Sequence, residues 1–309
     1  MLEASAIPDP VTGLIDGDLL VFSVCAAAEY GKEEDEINDT LFHGICNSID
    51  AKLKAIINRL MLKDIRIFLS HSDNFRHTLM PEYKANRANV WRPEFLSDAK
   101  KHVMQWWDAE MEAGLEADDL MAYEQKRAYP YSTVIVTLDK DLLQVGGHHY
   151  RWETNHQGEK LSVVEGYGEL NEVGKDIKGN GLKFFLWQCL IGDPTDGIMG
   201  CGVKEQAIYK SGKKAGETYS KRKGIGAKAA YNLLKSTNNY NEGLAVVSEE
   251  YKKLFGDGWE SELTKQGGCL WMVDEIIEGS AAKYPVMWSF QGKRKAYHPN
   301  KKKVLTLRQ

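Results

Sequence analysis

Three short apolar runs, TGLID (12–16), DIRIFLS (64–70) and STVIVT (132–137), each end in a polar cluster that is followed by acids. Asp16 and Asp18 follow the first, Asp73 the second, and Asp139 and Asp141 the third. Apolar runs of this length, bounded by turn-forming residues, read as buried strands. Between them lie the helical patterns NSIDAKLKAIINRLML (47–62) and SDAKKHVMQWWDAEME (97–112). Strands that alternate with helices imply an α/β fold, with a mainly parallel sheet flanked by helices. Ligands of such sheets bind beyond the carboxyl ends of the strands, where these aspartates would gather.

Two further segments carry acids. GDPTDG supplies Asp193 and Asp196 after the helical stretch GLKFFLWQCLIG (181–192), and LEADDLM (115–121) supplies Glu116, Asp118 and Asp119 where a helix begins near Ala117. Asp-Pro and Asp-Gly form ordinary turns, and acids suit the positive end of a helix, so each segment alone has a plain structural explanation. Like charges about 4 Å apart nevertheless repel by roughly 4 kcal/mol at an effective dielectric of about 20. Separated segments that each deliver acids at the end of an apolar element argue for one shared site. Oxygen-rich carboxylate clusters suit magnesium or manganese, and two such ions about 4 Å apart activate water and stabilise a leaving oxygen. Phosphoryl chemistry is the natural use.

With 309 residues, 43% of them apolar, the chain has material for one large core or two smaller ones. The N-terminus MLEASAIPDP has no basic region followed by an apolar run, and the apolar stretch near LLVFSVCAAA is too short to span a bilayer, so a soluble, non-secreted protein without a membrane partner is expected. Cysteines at 25, 46, 189, 201 and 269 are odd in number and form no C-x-x-C pair, which argues against a disulfide framework or a zinc site and for a reducing cytoplasm. The net charge of −4 hides an uneven pattern. Acids cluster at EEDE (33–36) and LEADD, bases at YKSGKKAGETYSKRK (209–223) and GKRKAYHPNKKK (292–303). The stretch NFRHTLMPEYKANRANVWR (74–92) places Arg76, Lys84, Arg87 and Arg92 near Phe75, Tyr83 and Trp91. Such a segment holds phosphates while stacking bases, or else is an exposed helix start with a few core aromatics. In KGIGAKAAYNLL (223–234), Gly224 and Gly226 make a tight turn into a helix whose backbone N–H groups suit a phosphate, with Lys228 adding charge.

The motifs IDGD, PEYKANR, LEADDLMAY, TLDKD, GDPTDG and GIGAKAAYNLL, in that order over most of residues 12–235, make the chain resemble the flap-endonuclease family of 5′-nucleases, most similar to the short 5′-to-3′ exonucleases of podophages. The resemblance implies a catalytic PIN-like 5′-nuclease domain over 1–190 with a helical arch around 80–112. A helix-hairpin-helix duplex-binding region over 191–309 would follow, with a basic insert and a C-terminal extension. It implies one metal group at Asp16, Glu116, Asp118 and Asp119 and a second at Asp139, Asp141, Asp193 and Asp196. Two Mg2+ (or Mn2+) ions are implied, with a monovalent cation at the hairpin. Lys84 and Arg87 match basic residues that engage the scissile phosphate, with Tyr83 beside them, and Gly224, Gly226 and Lys228 match the hairpin that grips duplex backbone.

Two features depart from the family. Its aspartate at the end of the second strand falls here on Ser70 or His71, and Asp73 lies nearer the Phe75–Arg76 pair, so the ligand there is open among the three. The hairpin sequence is interrupted, with DGIMGCG (196–202) separated from GIGAKAA by an insert, KSGKKAGETYSKR, that reads as an exposed basic hairpin extending the duplex contact. GCGVK (200–204) competes as the turn, but the helical AAYNLL favours Gly224 to Lys228. The expected activity is metal-dependent hydrolysis of a DNA phosphodiester near a 5′ end, on duplex DNA with 5′ ends, nicks or flaps. A monomer is expected, serving phage DNA replication or host DNA degradation in the host-cell cytoplasm. A haloacid-dehalogenase-like phosphatase, with Asp16 of IDGDLL as nucleophile, leaves LEADD, PEYKANR and GIGAK without a task. A non-catalytic nucleic-acid-binding module leaves the acids unexplained, since a phosphate-binding surface should be basic.

Overall fold

The order of strands in the main sheet follows from which apolar runs are buried on both faces. The computed structural model describes residues 11–307, apart from 129, 209, 214, 215, 281, 291, 293 and 294. The N-terminal decapeptide, and parts of both basic clusters noted above, therefore lie outside the described residues. Strands β1 (Thr12–Asp16), β2 (Asp64–Asn74), β3 (Glu110–Gly114), β4 (Thr133–Val136), β5 (Gly147–Arg151) and β6 (Lys160–Val164) form one sheet in the order β3-β2-β1-β4-β5-β6. Its first five strands are parallel, and β6 runs antiparallel at the edge. Along β1, Ile15 joins Ile67, Val134 and Val136 in one core, while Leu14 joins Phe68 and Ile135 in a second on the opposite face. That two-sided burial explains why the strands read as continuous apolar runs rather than as alternating ones.

Helices α1 (Gly17–Glu29), α2 (Asp39–Leu60) and α4 (Leu96–Trp106) cover the Ile15 face, and α5 (Ala117–Arg127) covers the other; α3 is a single turn at Arg76–Leu79. Asp16 caps α1 by accepting from Leu19 N, and Asn38 caps α2 by accepting from Leu41 N. The helical pattern expected over 97–112 stops at Trp106. Asp108 takes a left-handed backbone (φ 50°), and residues 110–114 pair with β2 instead. The helical arch expected around 80–112 is corrected with it. Pro81 and Pro93 flank an irregular span with one 3-10 turn at Ala85–Arg87, and α4 buries Ala99 and Val103 in the main core.

A second core forms around α6 (Gly181–Ile191), entered through the hairpin β7 (Leu170–Val173) and β8 (Asp176–Gly179). Phe185, Leu186, Cys189 and Leu190 of α6 pack with Ala230 and Leu234 of α7 (Ala227–Leu234), Val247 and Tyr251 of α8 (Tyr240–Phe255) and Leu263 of α9 (Trp259–Leu270). Before α7, β9 (Gly202–Ile208) and β10 (Thr218–Gly224) form an antiparallel hairpin. A division at residue 190 would cut through this core, because α6 is apolar on every side and belongs at its centre; the change of core falls before Leu170.

The C-terminal stretch is not an appendage. Strands β11 (Ile276–Glu278), β12 (Lys283–Met287), β13 (Lys295–His298) and β14 (Lys303–Thr306) form an antiparallel sheet that returns to the parallel sheet's core. Tyr297 packs there with Leu14, Phe68 and Leu115. Gly114 has φ +87°, which favours glycine, and a Cβ on it would press on the Tyr297 ring at 3.0 Å. Tyr297→Ala should lower the unfolding free energy by about 3 kcal/mol, measured by urea denaturation; a loss under about 0.5 kcal/mol would mean that the C-terminal sheet is peripheral.

Candidate active site at the carboxyl ends of the parallel strands

Strand β1 lies between β2 and β4, so the crossover direction reverses beside Asp16 and a crevice opens there. It is part of a cavity of about 690 Å³ lined by Asp16, Asp18, Glu116, Asp118, Asp139, Asp141, Asp193 and Asp196. Asp16 accepts from Leu19 N through Oδ1 at 2.9 Å and from Thr137 Oγ1 through Oδ2 at 2.6 Å. Thr137 Oγ1 in turn accepts from Asp139 N at 2.9 Å, so one hydroxyl ties the ends of β1 and β4 together. Asp139 Oδ1 accepts from Asp141 N at 2.8 Å, and Gln188 Nε2, reaching over from α6, donates to Asp141 Oδ1 at 2.7 Å. Asp193 and Asp196 come from the loop after α6. Reciprocal backbone bonds between Asp193 and Ile198, at 2.9 and 2.8 Å, close that loop. It also passes so near itself that a Cβ on Gly200, at φ +61°, would lie 2.3 Å from Gly192 N.

Burial and mutual repulsion act together on these acids. Burial, then Asp18 and Asp139, push the Asp16 carboxyl up to about 7, despite the hydrogen bonds from Thr137 and Leu19. Burial with Asp139 beside it pushes Asp141 up to about 6. Asp118 is raised well above the carboxylate range by burial and by Asp16, Asp139 and Glu116. Glu116 goes the other way, since Arg76 and Lys84 overcome its burial and hold it at about 2. The donors are hard oxygens whose repulsion a divalent cation would relieve, so in chemistry the set fits magnesium or manganese. Among the described residues, no three carboxylate, imidazole or thiol groups are gathered tightly enough to share one ion as they stand.

Basic side chains answer the acids instead. Lys84 Nζ lies 2.5 Å from Glu116 Oε1, and its own backbone N donates to the Asp196 carbonyl at 3.0 Å. Lys84 sits at φ 57°, an uncommon conformation for a residue with a side chain. The Tyr83 hydroxyl is 3.0 Å from both Glu116 Oε2 and Asp196 Oδ2. Arg87 pairs with Asp196, Lys100 with Asp18, and Lys140 with Asp141 at 3.1 Å. Arg92 lines the cavity mouth beside Trp91.

Several expectations need correction. Arg76 is not a DNA contact: it is 1% exposed and spends its guanidinium on Asp119 (2.7 and 2.8 Å), Glu116 (3.2 Å) and the carbonyls of Cys269 and Trp271. Asp119 does not line the cavity. It is fully buried, and besides Arg76 its oxygens accept from Glu116 N and Val273 N. Asp73 turns away to accept from Tyr297 OH at 3.2 Å, and His71 Nδ1 accepts from Asp73 N, which leaves Ser70 as the one of the three that lines the cavity. Of the three aromatics, Phe75 and Tyr83 are buried, and only Trp91 is half exposed, with Tyr30 edge-to-face beside it at 5.9 Å. Gly224, Gly226 and Lys228 lie outside the cavity, at the start of α7, where Lys228 pairs with Glu172.

The sequence reading gathered Asp18 with the other aspartates but gave it no metal group, and it left Lys100, Lys140, Thr137 and Gln188 out of the site. The D-x-D spacing of IDGD and the lysine inside TLDKD were visible signals for Asp18 and Lys140. Nothing in the sequence marks Lys100 or Gln188, which arrive from the faces of α4 and α6.

Residues 12–168, just over half of the chain, match the family model described as the 5'-3' exonuclease N-terminal resolvase-like domain. The exonuclease of Escherichia phage T7 is 27% identical over 238 residues, spanning 67% of this chain and 74% of that protein, and the exodeoxyribonuclease of Enterobacteria phage T3 is 25% identical over 228 residues. DNA polymerase I of Borreliella burgdorferi is 28% identical over 201 residues, and the chain spans only 19% of that protein's length. A bacteriophage T5 flap endonuclease, solved as a pseudo-enzyme-product complex with DNA and metal ions, superposes with a TM-score of 0.53 at 16% identity, covering 83% of this chain and 87% of that one. The described residues contain no helix long and apolar enough to cross a membrane, and all five cysteines are free and buried. A parallel sheet whose strand ends deliver acids to one cavity, found where the family model aligns, places this chain in the family of 5′-3′ exonucleases with an N-terminal resolvase-like domain.

Proposed function

We propose that the cavity hydrolyses DNA phosphodiesters near 5′ ends with the help of divalent ions, magnesium or manganese. The observation that carries this reading is the convergence of eight carboxylates from separated segments, with burial and repulsion raising Asp16, Asp118 and Asp141. Asp16, Glu116 and Asp118 form one holding group, to which the geometry adds Asp18; Asp139, Asp141, Asp193 and Asp196 form the other. Divalent ions bound there supply Lewis-acid stabilisation of the phosphate and the acidity that makes water a nucleophile at neutral pH.

The chain's own residues do the positioning. Thr137 fixes Asp16 and Asp139 relative to each other, and Gln188 orients Asp141. Lys84 and Arg87 face the acids from the opposite wall, where a phosphate could exchange places with the carboxylates they now hold. Tyr83 keeps Glu116 and Asp196 in a fixed relation through its hydroxyl. Duplex DNA with 5′ ends, nicks or flaps is the substrate class, bound by a monomer, and phage DNA replication or host DNA degradation is the setting. The exonuclease and exodeoxyribonuclease activities of the phage relatives and the DNA in the T5 complex support the substrate class.

Replacing Asp139 and Asp141 together with Asn should abolish magnesium-dependent cleavage of a 5′-labelled duplex and weaken magnesium binding by calorimetry, with an unchanged circular dichroism spectrum. Near-normal cleavage by a folded double variant would remove both from the site. Lys84→Ala should slow single-turnover cleavage by roughly 100-fold to 1,000-fold, because a preorganised cation on the phosphate is lost, while duplex affinity stays within a few-fold. Weaker binding with a normal rate at saturating enzyme would make Lys84 an ordinary phosphate contact.

A further inference from the structure

The described strands β9 and β10 make their main contacts with each other, and an isolated two-stranded hairpin has little stability of its own. Its base is unusually well held. Arg222 donates to Met199 O at 2.7 Å, Leu190 O and Ile225 O at 2.9 Å, and Cys201 O at 3.3 Å. Those four carbonyls belong to the last turn of α6, the acidic loop's exit and the glycine turn before α7, so one guanidinium welds the hairpin to all three. Cys201 N donates to the carbonyls of Cys189 and Leu190 in the same knot, and Gly224 is required there because a Cβ would lie 2.4 Å from Cys201 O. The described charges of the projecting part are mainly positive. Lys223 pairs with Glu205 at 2.8 Å, Lys204, Lys210, Lys213 and Lys221 are exposed along it, and Glu217 is the remaining acid.

We propose that this hairpin is a rigid rail that lies along the phosphate backbone of duplex DNA beyond the end being cleaved. The inference rests on the proposed cleavage of duplex DNA and assigns a separate part of its binding to the insert. Charge complementarity names the occupant: on a chain of net charge −4, a lysine-lined, anchored prong stands next to the loop that carries Asp193 and Asp196. An extended chain from Asp196 to Gly202 spans at most about 20 Å. Seven-residue strands reach about 23 Å further. The far ends of the prong's strands therefore lie within about 45 Å of the acids, or roughly 13 base pairs of a helix that carries one phosphate charge per about 1.7 Å. Because Arg222 holds the base rigid, the ordering cost of the hairpin is met on folding rather than on binding.

The geometry makes the contact depend on duplex length. The test replaces Lys204, Lys210, Lys213 and Lys221 with Gln together, surface changes that leave the Arg222 knot and the acidic cavity intact. Affinity is measured across a salt series, with Ca2+ in place of Mg2+, for a duplex of about 30 base pairs and for a closed stem of about 6. On the long duplex the slope of log affinity against log salt should fall by up to about 3.6, since each of the lost phosphate contacts removes about 0.9. Affinity should drop at least tenfold near physiological salt. The short stem should lose less than about twofold, and the saturated single-turnover rate with Mg2+ should not change. An unchanged slope on the long duplex overturns the proposal and leaves the rail to an acidic protein partner; an equal loss on both lengths overturns it by placing the lysines at the cleavage site. Wild-type protein that binds the long duplex without cleaving it would sink the proposed chemistry and leave this binding comparison intact.

Discussion

A guanidinium buried to 1% exposure must find its compensation in the protein, and Arg76 finds it from two cores at once. Placing a charge there costs several kcal/mol unless every donor is met and an opposite charge lies alongside. Asp119 answers with both oxygens, Glu116 lies 3.2 Å away, and Cys269 and Trp271 contribute carbonyls from the chain leaving α9. Asp119 extends the tie through Val273 N, and Gln144 adds bonds to Leu270 O and Met272 N. The segment that leads from the helical core into the C-terminal sheet is thereby fastened directly behind the acidic cavity. The same charge helps hold Glu116 ionised, so the joining of the two cores and the state of a site carboxylate share one cause.

The cavity's own constraint is repulsion. Parallel strands end side by side, which is why their C-terminal residues can be assembled from distant parts of the sequence and also why their charges crowd. The structure manages that crowding with hydrogen bonds that fix Asp16, Asp18 and Asp141, through Thr137, Ser70 N and Gln188, and with lysines and arginines drawn from α4 and the 80–95 span. A non-catalytic binding surface has no use for such an arrangement. The family match likewise leaves the phosphatase reading of IDGDLL without support.

The glycine-rich turn and the insert show how an interrupted motif is rejoined. Gly202 and Gly224 end up opposite each other at the base of the hairpin, so the residues on either side of the insert meet as if it were absent. Arg222, which reads in the sequence as one more base in a basic run, is the residue that makes the junction.

Much was legible because local chemistry reports local geometry. The buried strands, the acids at their ends, the helix opening at Ala117 and the exposed hairpin of the insert all follow from patterns a few residues long. The sequence determined that carboxylates would collect at one end of a parallel sheet, because strand direction and the position of an acid after a strand are both written in linear order. Only the tertiary structure decided which of them face the cavity. Asp73 and Asp119 carry the same charge as Asp18 and Asp118, yet Tyr297, Arg76 and Val273, distant in sequence, claim them first. Arg76 reads as a phosphate contact until a buried carboxylate and two carbonyls surround it, since a charged side chain's role depends on which opposite charge is desolvated beside it, and that is a property of packing.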